Sequence, residues 1–139
     1  MRMTSGEALK RKEALLQVEN KILPFKLSYA IGRNLNNLEA EAKIIEEERE
    51  KICAEFAAKD KNGNPMTKIV KGKPNYVFEN DDDYRNVTNA YSDLLKIETD
   101  INIFMASLGD IEQCEEMDKY SKLTVKDQRE IMFMIEEEK

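Results

Sequence analysis

The sequence contains no histidine among its 139 residues. Histidine is the most common general base and metal ligand near neutral pH, so its absence excludes every serine–histidine or cysteine–histidine nucleophile. The five glycines are scattered, and they form neither a Walker phosphate-binding loop nor a GxGxxG motif. We therefore expect that the protein is not an enzyme and that it has no catalytic residue, no cofactor and no metal site.

Long apolar runs and paired cysteines are also missing. No segment approaches the roughly 20 apolar residues of a membrane span, and the N-terminal segment MRMTSGEALKRKE lacks the apolar region of a signal peptide. Cys53 and Cys114 are far apart in the sequence and match no metal-binding spacing. These absences predict a protein of a reducing, cytosolic compartment that has no membrane partner.

Proline is absent from residues 25–58, where apolar residues recur at alternating steps of four and three. This spacing predicts one long helix with an apolar seam on one face. The seam comprises Ile31, Leu35, Leu38, Ala42, Ile45, Ile52 and Phe56. Arg49 interrupts the seam, and three interpretations stay open. It pairs with a carboxylate such as Asp83 or Glu98, it sets the register with a second copy, or its aliphatic stem covers the end of the seam.

The predicted helix is long for a chain of this size. About 32 residues at a rise of 1.5 Å each span about 48 Å, whereas a compact domain of this length has a diameter of about 37 Å. Ile52 and Phe56 lie at the far end of the helix, where either the first helix or a second copy of the chain has to cover them. This favours a homo-oligomer, most simply a two-fold dimer.

Local signals define the elements that flank the long helix. Thr4 and Glu7 have the spacing of a capping box at the start of a first helix. Residues 66–70 and 75–79 are rich in β-branched and aromatic side chains and are separated by Lys-Gly-Lys-Pro, which predicts a β-hairpin. The acidic run at 80–83 has the residue types that begin a helix.

The C-terminal third of the chain has weaker signals. Residues 99–106 alternate in polarity and are expected to form a third strand, and 107–122 are expected to be irregular apart from one short helical turn. Leu123 and Thr124 cap a predicted last helix over 125–137. Its predicted inner face comprises Ile131, Met132 and Ile135.

Together these elements predict a mainly α fold of the α+β class. It consists of a long antiparallel helical hairpin with a small antiparallel β-sheet and terminal helices. In this hairpin, the seam residues Leu38, Ala42 and Ile45 are expected to face Tyr84, Val87, Tyr91 and Leu94 of the acidic helix. The whole chain, 1–139, is predicted to be one helix-rich domain. It divides into N-terminal helices over 1–59, a turn and hairpin over 60–79, and the acidic helix, strand and last helix over 80–139.

The net charge of −6 is unevenly distributed. Residues 59–75 carry five basic and one acidic side chain, whereas residues 76–118 carry two basic and twelve acidic ones. A strongly acidic middle argues against a nucleic-acid partner, because proteins that bind nucleic acid present a basic face to phosphate. It is compatible with a basic protein partner.

The same charge runs contain most of the candidate interaction residues. The three consecutive aspartates either cap the acidic helix or bind a divalent ion, and the hairpin lysines either protect an edge strand or meet a phosphate or nucleotide. The full candidate set is Arg49, Ile52, Phe56, Lys68, Lys71, Lys73, Asp81, Asp82 and Asp83.

Three segments of the chain carry a resemblance. They read LPFKLSYAIGRNLNNLEAE over 23–41, EEEREKICAEFAAKDKNGNP over 46–65 and ETDINIFMASLGDIE over 98–112. With the order of hairpin and acidic helix between them, the chain resembles a family of small, uncharacterised proteins encoded by phages and prophages of Gram-positive and gut bacteria. The resemblance covers about two thirds of the chain and brings no catalytic motif with it. It implies a phage-encoded protein in the bacterial host cytoplasm or in the virion.

Two functional hypotheses follow from these observations. The first is a non-enzymatic protein-interaction or virion-assembly component, which the seam, the long helix and the lack of catalytic groups favour. The second is a small acidic inhibitor of a host defence protein, which the acidic segment over 76–118 favours. In both cases the partner is a protein, either a second copy of this chain or a protein of the phage or the host.

Overall fold

The computed structural model describes residues 1–136. This part of the chain contains five α-helices, one 3-10 helix and six short strands. In chain order the elements are β1 (Arg2–Thr4), α1 (Ser5–Val18), α2 (Phe25–Phe56), β2 (Thr67–Val70), β3 (Lys73–Tyr76), α3 (Asp81–Leu95), β4 (Glu98–Asp100), β5 (Ala106–Ser107), α4 (Leu108–Glu116), α5 (Val125–Ile131), the 3-10 helix Met132–Met134 and β6 (Ile135–Glu136).

The predicted mainly α fold is confirmed, including its one long helix and its small antiparallel sheets. Helix α2 runs without interruption through Gly32, and with 32 residues it has the predicted length. No helix within residues 1–136 combines the length and the apolarity needed to cross a membrane. The chain divides into two compact units. Unit 1 comprises Met1–Ala42 and the chain from Glu98 onward, and unit 2 comprises Lys43–Ile97. The single-domain organisation stays a prediction.

Unit 1 contains the main hydrophobic core. Helix α1 begins with the predicted capping box. The Thr4 hydroxyl accepts a hydrogen bond from the Glu7 N–H at 3.1 Å, and the Glu7 carboxylate accepts one from the Thr4 N–H at 3.3 Å. The bond from the Thr4 N–H lowers the pKa of the Glu7 carboxyl, as does a second bond that the Thr4 hydroxyl donates to the same carboxylate at 3.1 Å. Helices α1, α4 and α5 and the first half of α2 supply the core. Its fully buried side chains include Leu15, Val18, Leu27, Leu38, Cys114, Ile131 and Met134.

Two small sheets tie distant parts of unit 1 together. Strand β1, which the sequence did not predict, pairs antiparallel with β4, with Met3 opposite Thr99. The N-terminal ammonium group also donates a hydrogen bond to the Ile101 carbonyl at 2.8 Å. Strands β5 and β6 form a short parallel pair.

The predicted third strand over 99–106 is wrong for most of its length, because only its two ends are strands. Between them, an asparagine side chain of α2 takes the place of a neighbouring strand. Asn34 is fully buried; its amide oxygen accepts from the Phe104 N–H at 2.7 Å, and its amide nitrogen donates to the Phe104 carbonyl at 2.9 Å. Asn37 donates similarly to the Asn102 carbonyl at 2.8 Å. Asparagine side chains of α2 therefore provide hydrogen-bond partners for the backbone of a segment that was predicted, from its alternating polarity, to be a strand.

The irregular segment predicted over 107–122 is also wrong, because α4 occupies its first half. A capping box formed by Ser107 and Asp110 begins this helix. The cap at Thr124 is confirmed, but α5 ends at Ile131 and continues into the 3-10 helix. Of the predicted inner face, Ile131 and Ile135 are buried, whereas Met132 is 40% exposed. The end of the predicted last helix at 137 lies outside the described residues.

Unit 2 is built from the second half of α2, the β2–β3 hairpin and α3. The hairpin is confirmed, with a two-residue turn in which Lys71 and Gly72 both have positive φ values of 51° and 79°. Positive φ at both central positions is the feature of a type I′ turn. Asn80 caps α3 by accepting a hydrogen bond from the Asp83 N–H at 2.9 Å, as the acidic run predicted.

The prediction that the acidic helix packs against the part of α2 that begins at Leu38 is wrong. Leu38 belongs to the core of unit 1, whereas no residue of α3 is buried and Tyr84 is 61% exposed. Helix α3 instead shares a cleft with the later turns of α2, from Glu46 to Cys53. The seam itself is present, since Ile31, Leu35, Leu38 and Ile45 are buried and Ala42, Ile52 and Phe56 are half-buried. A three-four repeat identifies the inner face of a helix, but it does not identify the helix that packs there.

Candidate functional site

A cleft of about 950 Å³ lies within unit 2. Helix α2, the β2–β3 hairpin and helix α3 each supply one wall. The lining residues are Glu46, Arg49, Glu50 and Cys53 of α2, Thr67, Lys73, Pro74, Asn75, Tyr76 and Phe78 of the hairpin segment, and Tyr84, Val87, Thr88 and Tyr91 of α3. We call it the aromatic cleft after its four rings.

The hairpin wall is attached to α2 by a tyrosine–carboxylate hydrogen bond. The Tyr76 hydroxyl donates to the Glu50 carboxylate at 2.7 Å. This bond stabilises the protonated phenol, and together with burial it raises the pKa of Tyr76. The rings of Phe78 and Tyr84 make an edge-to-face contact with centroids 6.0 Å apart, which joins the hairpin segment to α3. The aromatic walls are thus held in place by specific contacts.

Arg49 provides the positive charge on the α2 wall. Its guanidinium lies 3.2 Å from the Glu46 carboxylate and 3.7 Å from the Glu50 carboxylate, and its side chain is 44% exposed. The predicted pairing with Asp83 or Glu98 is therefore wrong; the partners are neighbours on the same helix. Exposed pairs of this kind contribute little to stability, so a ligand charge can compete for either member.

Cys53 also lies on the α2 wall of the cleft. Its thiol is buried, and burial raises its pKa. A thiol with a raised pKa is a poor nucleophile at neutral pH, because the thiolate is the reactive form. The side chain therefore acts as a small apolar residue.

Every one of the nine predicted interaction residues falls in unit 2. Arg49 and Lys73 line the aromatic cleft. Lys68 and Lys71 are exposed on the hairpin, and Ile52 and Phe56 are half-buried near the end of α2. The three aspartates occupy the first turn of α3.

The acidic turn of α3 is organised by local contacts. Asp82 forms an ion pair with Arg85 at 2.6 Å, and the N–H of Asp83 is bound by the cap residue Asn80. Within residues 1–136, no three histidine, cysteine, aspartate or glutamate side chains come together in a way that could hold a metal ion. The cap of α3 is Asn80 and not one of the aspartates, which lie in the first turn, where negative charge interacts favourably with the helix dipole.

The end of α2 has a neighbour that the sequence analysis did not consider. After the helix, the Ala58 N–H donates to the Val77 carbonyl at 2.8 Å, and the Met66 N–H donates to the Ala58 carbonyl at 2.7 Å. The base of the hairpin is thus bonded to the segment that follows α2. Because the hairpin is bonded here, a second copy of the chain is not required to cover the end of α2. Self-association stays a prediction.

The four rings that line the candidate site were not assigned to it by sequence reasoning. Tyr76 and Phe78 were assigned to a strand of the hairpin, and Tyr84 and Tyr91 to a helix face that packs against the seam of the long helix. One signal pointed to them, since three of the five tyrosines lie within residues 76–91. Tyrosine is enriched at binding surfaces because it combines a large apolar ring with a polar hydroxyl.

Unit 1 has an exposed aromatic surface of its own. Phe25 and Tyr29, one turn apart on α2, are 77% and 61% exposed. The Tyr29 ring makes an edge-to-face contact with Phe104, with centroids 6.4 Å apart, and Arg33 lies 4.9 Å from the centroid of the same Phe104 ring. Tyr29 and Tyr84 have the same exposed fraction, which makes them a matched pair for mutagenesis.

Comparison of the chain with models of protein families, with curated proteins and with solved structures finds no match in any of the three. Function is therefore inferred from the aromatic cleft and its surroundings.

Proposed function

We propose that this chain is a non-enzymatic interaction protein that holds a segment of a partner protein in the aromatic cleft of unit 2. The observation that carries the proposal is the cleft itself, about 950 Å³ in volume, where four aromatic rings lie beside two glutamates, one arginine and one lysine. This combination is typical of the anchoring part of a protein interface, where aromatic residues and arginine dominate the binding energy.

The physical basis is the apolar area that the rings leave for a partner. Tyr84 is 61% exposed although its ring already contacts Phe78. A ring held by one contact loses little conformational freedom when a partner covers its other side, so most of the apolar burial appears as affinity. Charged groups such as Arg49 and Lys73 then fix the orientation of the bound segment.

The resemblance to phage-encoded proteins supplies the biological setting of the proposal. In that setting the partner is a virion protein or a second copy of this chain, and the protein acts in assembly. The acidic-inhibitor hypothesis is the alternative, and it uses a different surface. Its support is the first turn of α3, where the Asp82 side chain is 81% exposed and adjoins the equally acidic Asp81 and Asp83.

The test is a binding measurement with two matched tyrosine variants. The wild-type protein is used to capture partners from phage-infected host cells, and each purified candidate is then titrated against Tyr84→Ser and Tyr29→Ser. The two side chains are equally exposed but lie in different units. We expect Tyr84→Ser to weaken binding at least tenfold, or about 1.4 kcal/mol, and Tyr29→Ser to leave it unchanged.

Two outcomes contradict the proposal. If both variants bind as the wild type does, the aromatic cleft is not the interface. If binding survives Tyr84→Ser but is lost in Asp82→Lys, the acidic surface of α3 is the interface and the inhibitor hypothesis is favoured. Circular dichroism of each variant shows whether its helices are intact.

A further inference from the structure

The hydrogen-bonding phase of the hairpin determines which backbone groups face outward. The Val77 N–H donates across the hairpin to the Met66 carbonyl at 3.0 Å, which makes Met66–Val77 a bonded position of the ladder, although the Met66 N–H donates to the Ala58 carbonyl. Bonded and non-bonded pairs alternate along an antiparallel ladder. With the observed register, Lys68 therefore bonds to Asn75, whereas the pairs Thr67–Tyr76 and Ile69–Pro74 are non-bonded.

The N–H and C=O groups of Thr67 and Ile69 consequently point away from β3. On the opposite edge, Pro74 occupies one of the two outward positions of β3 and has no N–H to offer. The sheet has only these two strands in the part of the chain that the structure describes. Strand β2 is thus the edge that presents two complete donor–acceptor pairs.

Strand β2 is also unusually exposed for a strand with apolar side chains. All four of its residues are exposed, with Ile69 at 70% and Val70 at 41%, and Met66 just before it is 43% exposed. An open strand edge with exposed apolar side chains is a template for the addition of another strand.

The charges around this edge select the incoming strand. Lys68 lies in the middle of β2, and residues 59–75 carry five lysines against one aspartate. A second copy is a poor occupant: the antiparallel register that uses Thr67 and Ile69 of both copies places Lys68 directly opposite its own counterpart. Like charges in that position are destabilising. A strand with carboxylates is the complementary occupant.

We propose that the outer edge of β2 binds an extended acidic segment of a partner protein as an added antiparallel strand. Side chains alternate between the two faces of a strand, with Lys68 on one face and Thr67 and Ile69 on the other. The segment therefore alternates acidic residues, on the Lys68 face, with apolar residues, on the Ile69 face. This inference rests on the proposed function for the existence of a partner, but its site is the backbone edge of β2. Of the edge residues Thr67, Lys68 and Ile69, only Thr67 also lines the aromatic cleft.

The test follows backbone amides by NMR during titration with a peptide of four glutamates alternating with three valines, capped at both ends. Before addition, the amides of Thr67 and Ile69 exchange freely with solvent, whereas that of Lys68 is protected by β3. At millimolar peptide we expect exchange at Thr67 and Ile69 to slow about tenfold, with little change at Lys68. The corresponding lysine–valine peptide is expected to have no effect.

Variants separate strand addition from charge attraction. Ile69→Pro removes one outward N–H and leaves the hairpin ladder intact, so it is expected to abolish the effect of the glutamate peptide. Lys68→Glu is expected to reverse the preference between the two peptides. Lys43→Glu, which makes the same charge change at an exposed position on α2, is expected to leave the preference unchanged.

Several results overturn the inference. Equal binding of the two peptides contradicts the charge argument, and slowed exchange that grows with protein concentration alone indicates self-pairing. Inorganic phosphate that shifts Lys68 and Lys71 as strongly as the peptide does, without protection at Thr67 and Ile69, indicates an anion site. A captured partner that depends on Tyr84 but not on Ile69 or Lys68 preserves the proposed function and rejects this strand edge.

Discussion

Replacing Asn34 by alanine tests the feature that joins α2 to the segment around Phe104. The change removes two hydrogen bonds to the backbone of Phe104, each with a net contribution of about 1 kcal/mol, and leaves the N–H and C=O of Phe104 without their partner. It also removes a third bond, which the Asn34 amide nitrogen donates to the Met134 sulfur at 3.4 Å. It also leaves a small cavity at a site that is fully buried. We expect the free energy of unfolding to fall by about 2–4 kcal/mol.

Asn36→Ala is the matched control. Asn36 lies on the same helix and is exposed, so both variants gain the same helix propensity from alanine. The difference between the two variants therefore isolates the buried amide. Urea unfolding followed by circular dichroism measures both. A difference below about 1 kcal/mol refutes the view that the side chain of Asn34 stands in for a neighbouring strand.

Asn34→Asp adds a pH test of the same contact. A protonated carboxyl group can both accept from the Phe104 N–H and donate to its carbonyl, whereas an ionised one cannot donate and is buried. The pKa of the introduced aspartate should therefore be raised above its ordinary value of about 3.9. The folded state then holds the proton more tightly than the unfolded state does. The free energy of unfolding of Asn34→Asp, relative to that of Asn36→Asp, is therefore highest below a pH of about 3.9 and falls as the pH rises from there through the raised pKa. If the difference in stability between the two variants does not change with pH, the proposed contact of residue 34 with the backbone of Phe104 is contradicted.

Three further predictions concern unit 2 and the cysteines. Ultraviolet titration of the phenols should show a component above the ordinary value of 10.0 that is lost in Tyr76→Phe, because the hydrogen bond from this hydroxyl raises its pKa. Cys53 should react with a thiol reagent slowly in the native protein but faster than Cys114, because only Cys114 belongs to the large core of unit 1; single-cysteine variants measure the two rates, and equal rates contradict the difference in local stability. Lys71→Asn should stabilise the hairpin by about 0.5–1 kcal/mol and Gly72→Ala should destabilise it by about 1 kcal/mol, because both positions need positive φ; thermal unfolding checks both signs.

The elements that were predicted correctly depend on contacts between close neighbours in the sequence. The capping box at Thr4, the cap at Asn80 and the turn at Gly72 each involve residues at most three positions apart. The long helix also follows from a local repeat. Such features are readable because the physical cause and its effect lie in the same short window.

The elements that were missed depend on distant partners. Strand β1 exists because it pairs with β4, and the backbone at Phe104 avoids a sheet because Asn34 bonds to it across 70 positions in the sequence. No short window contains both partners. Helix α4 is a different case, because the start of this helix has a local signal. Ser107 and Asp110 have the capping-box spacing, but the segment was predicted to be irregular because it is rich in acidic residues.

The aromatic cleft was not predicted because the spacing of apolar residues indicates which face of a helix packs inward, but not how deeply that face is buried. Tyr84, Val87 and Tyr91 lie on one face of α3, as the three-four spacing indicated, yet none of them is buried. A half-buried stripe and a core stripe have the same period. The lysines of the hairpin, in contrast, were identified correctly as exposed because their charge alone requires it.

The distribution of burial within unit 2 favours a binding role over a purely structural one. In residues 43–97, all of which are described, the buried residues are Ile45, Cys53, Ala57 and Ala58, and three of these four side chains are small. A helix such as α3 derives most of its stability from packing of an apolar face, and here that face remains partly open to solvent. A partner that covers it stabilises the unit by mass action. The exposed rings and the open edge of β2 are both accounted for by the proposed binding role, in which a bound protein would complete the packing of unit 2.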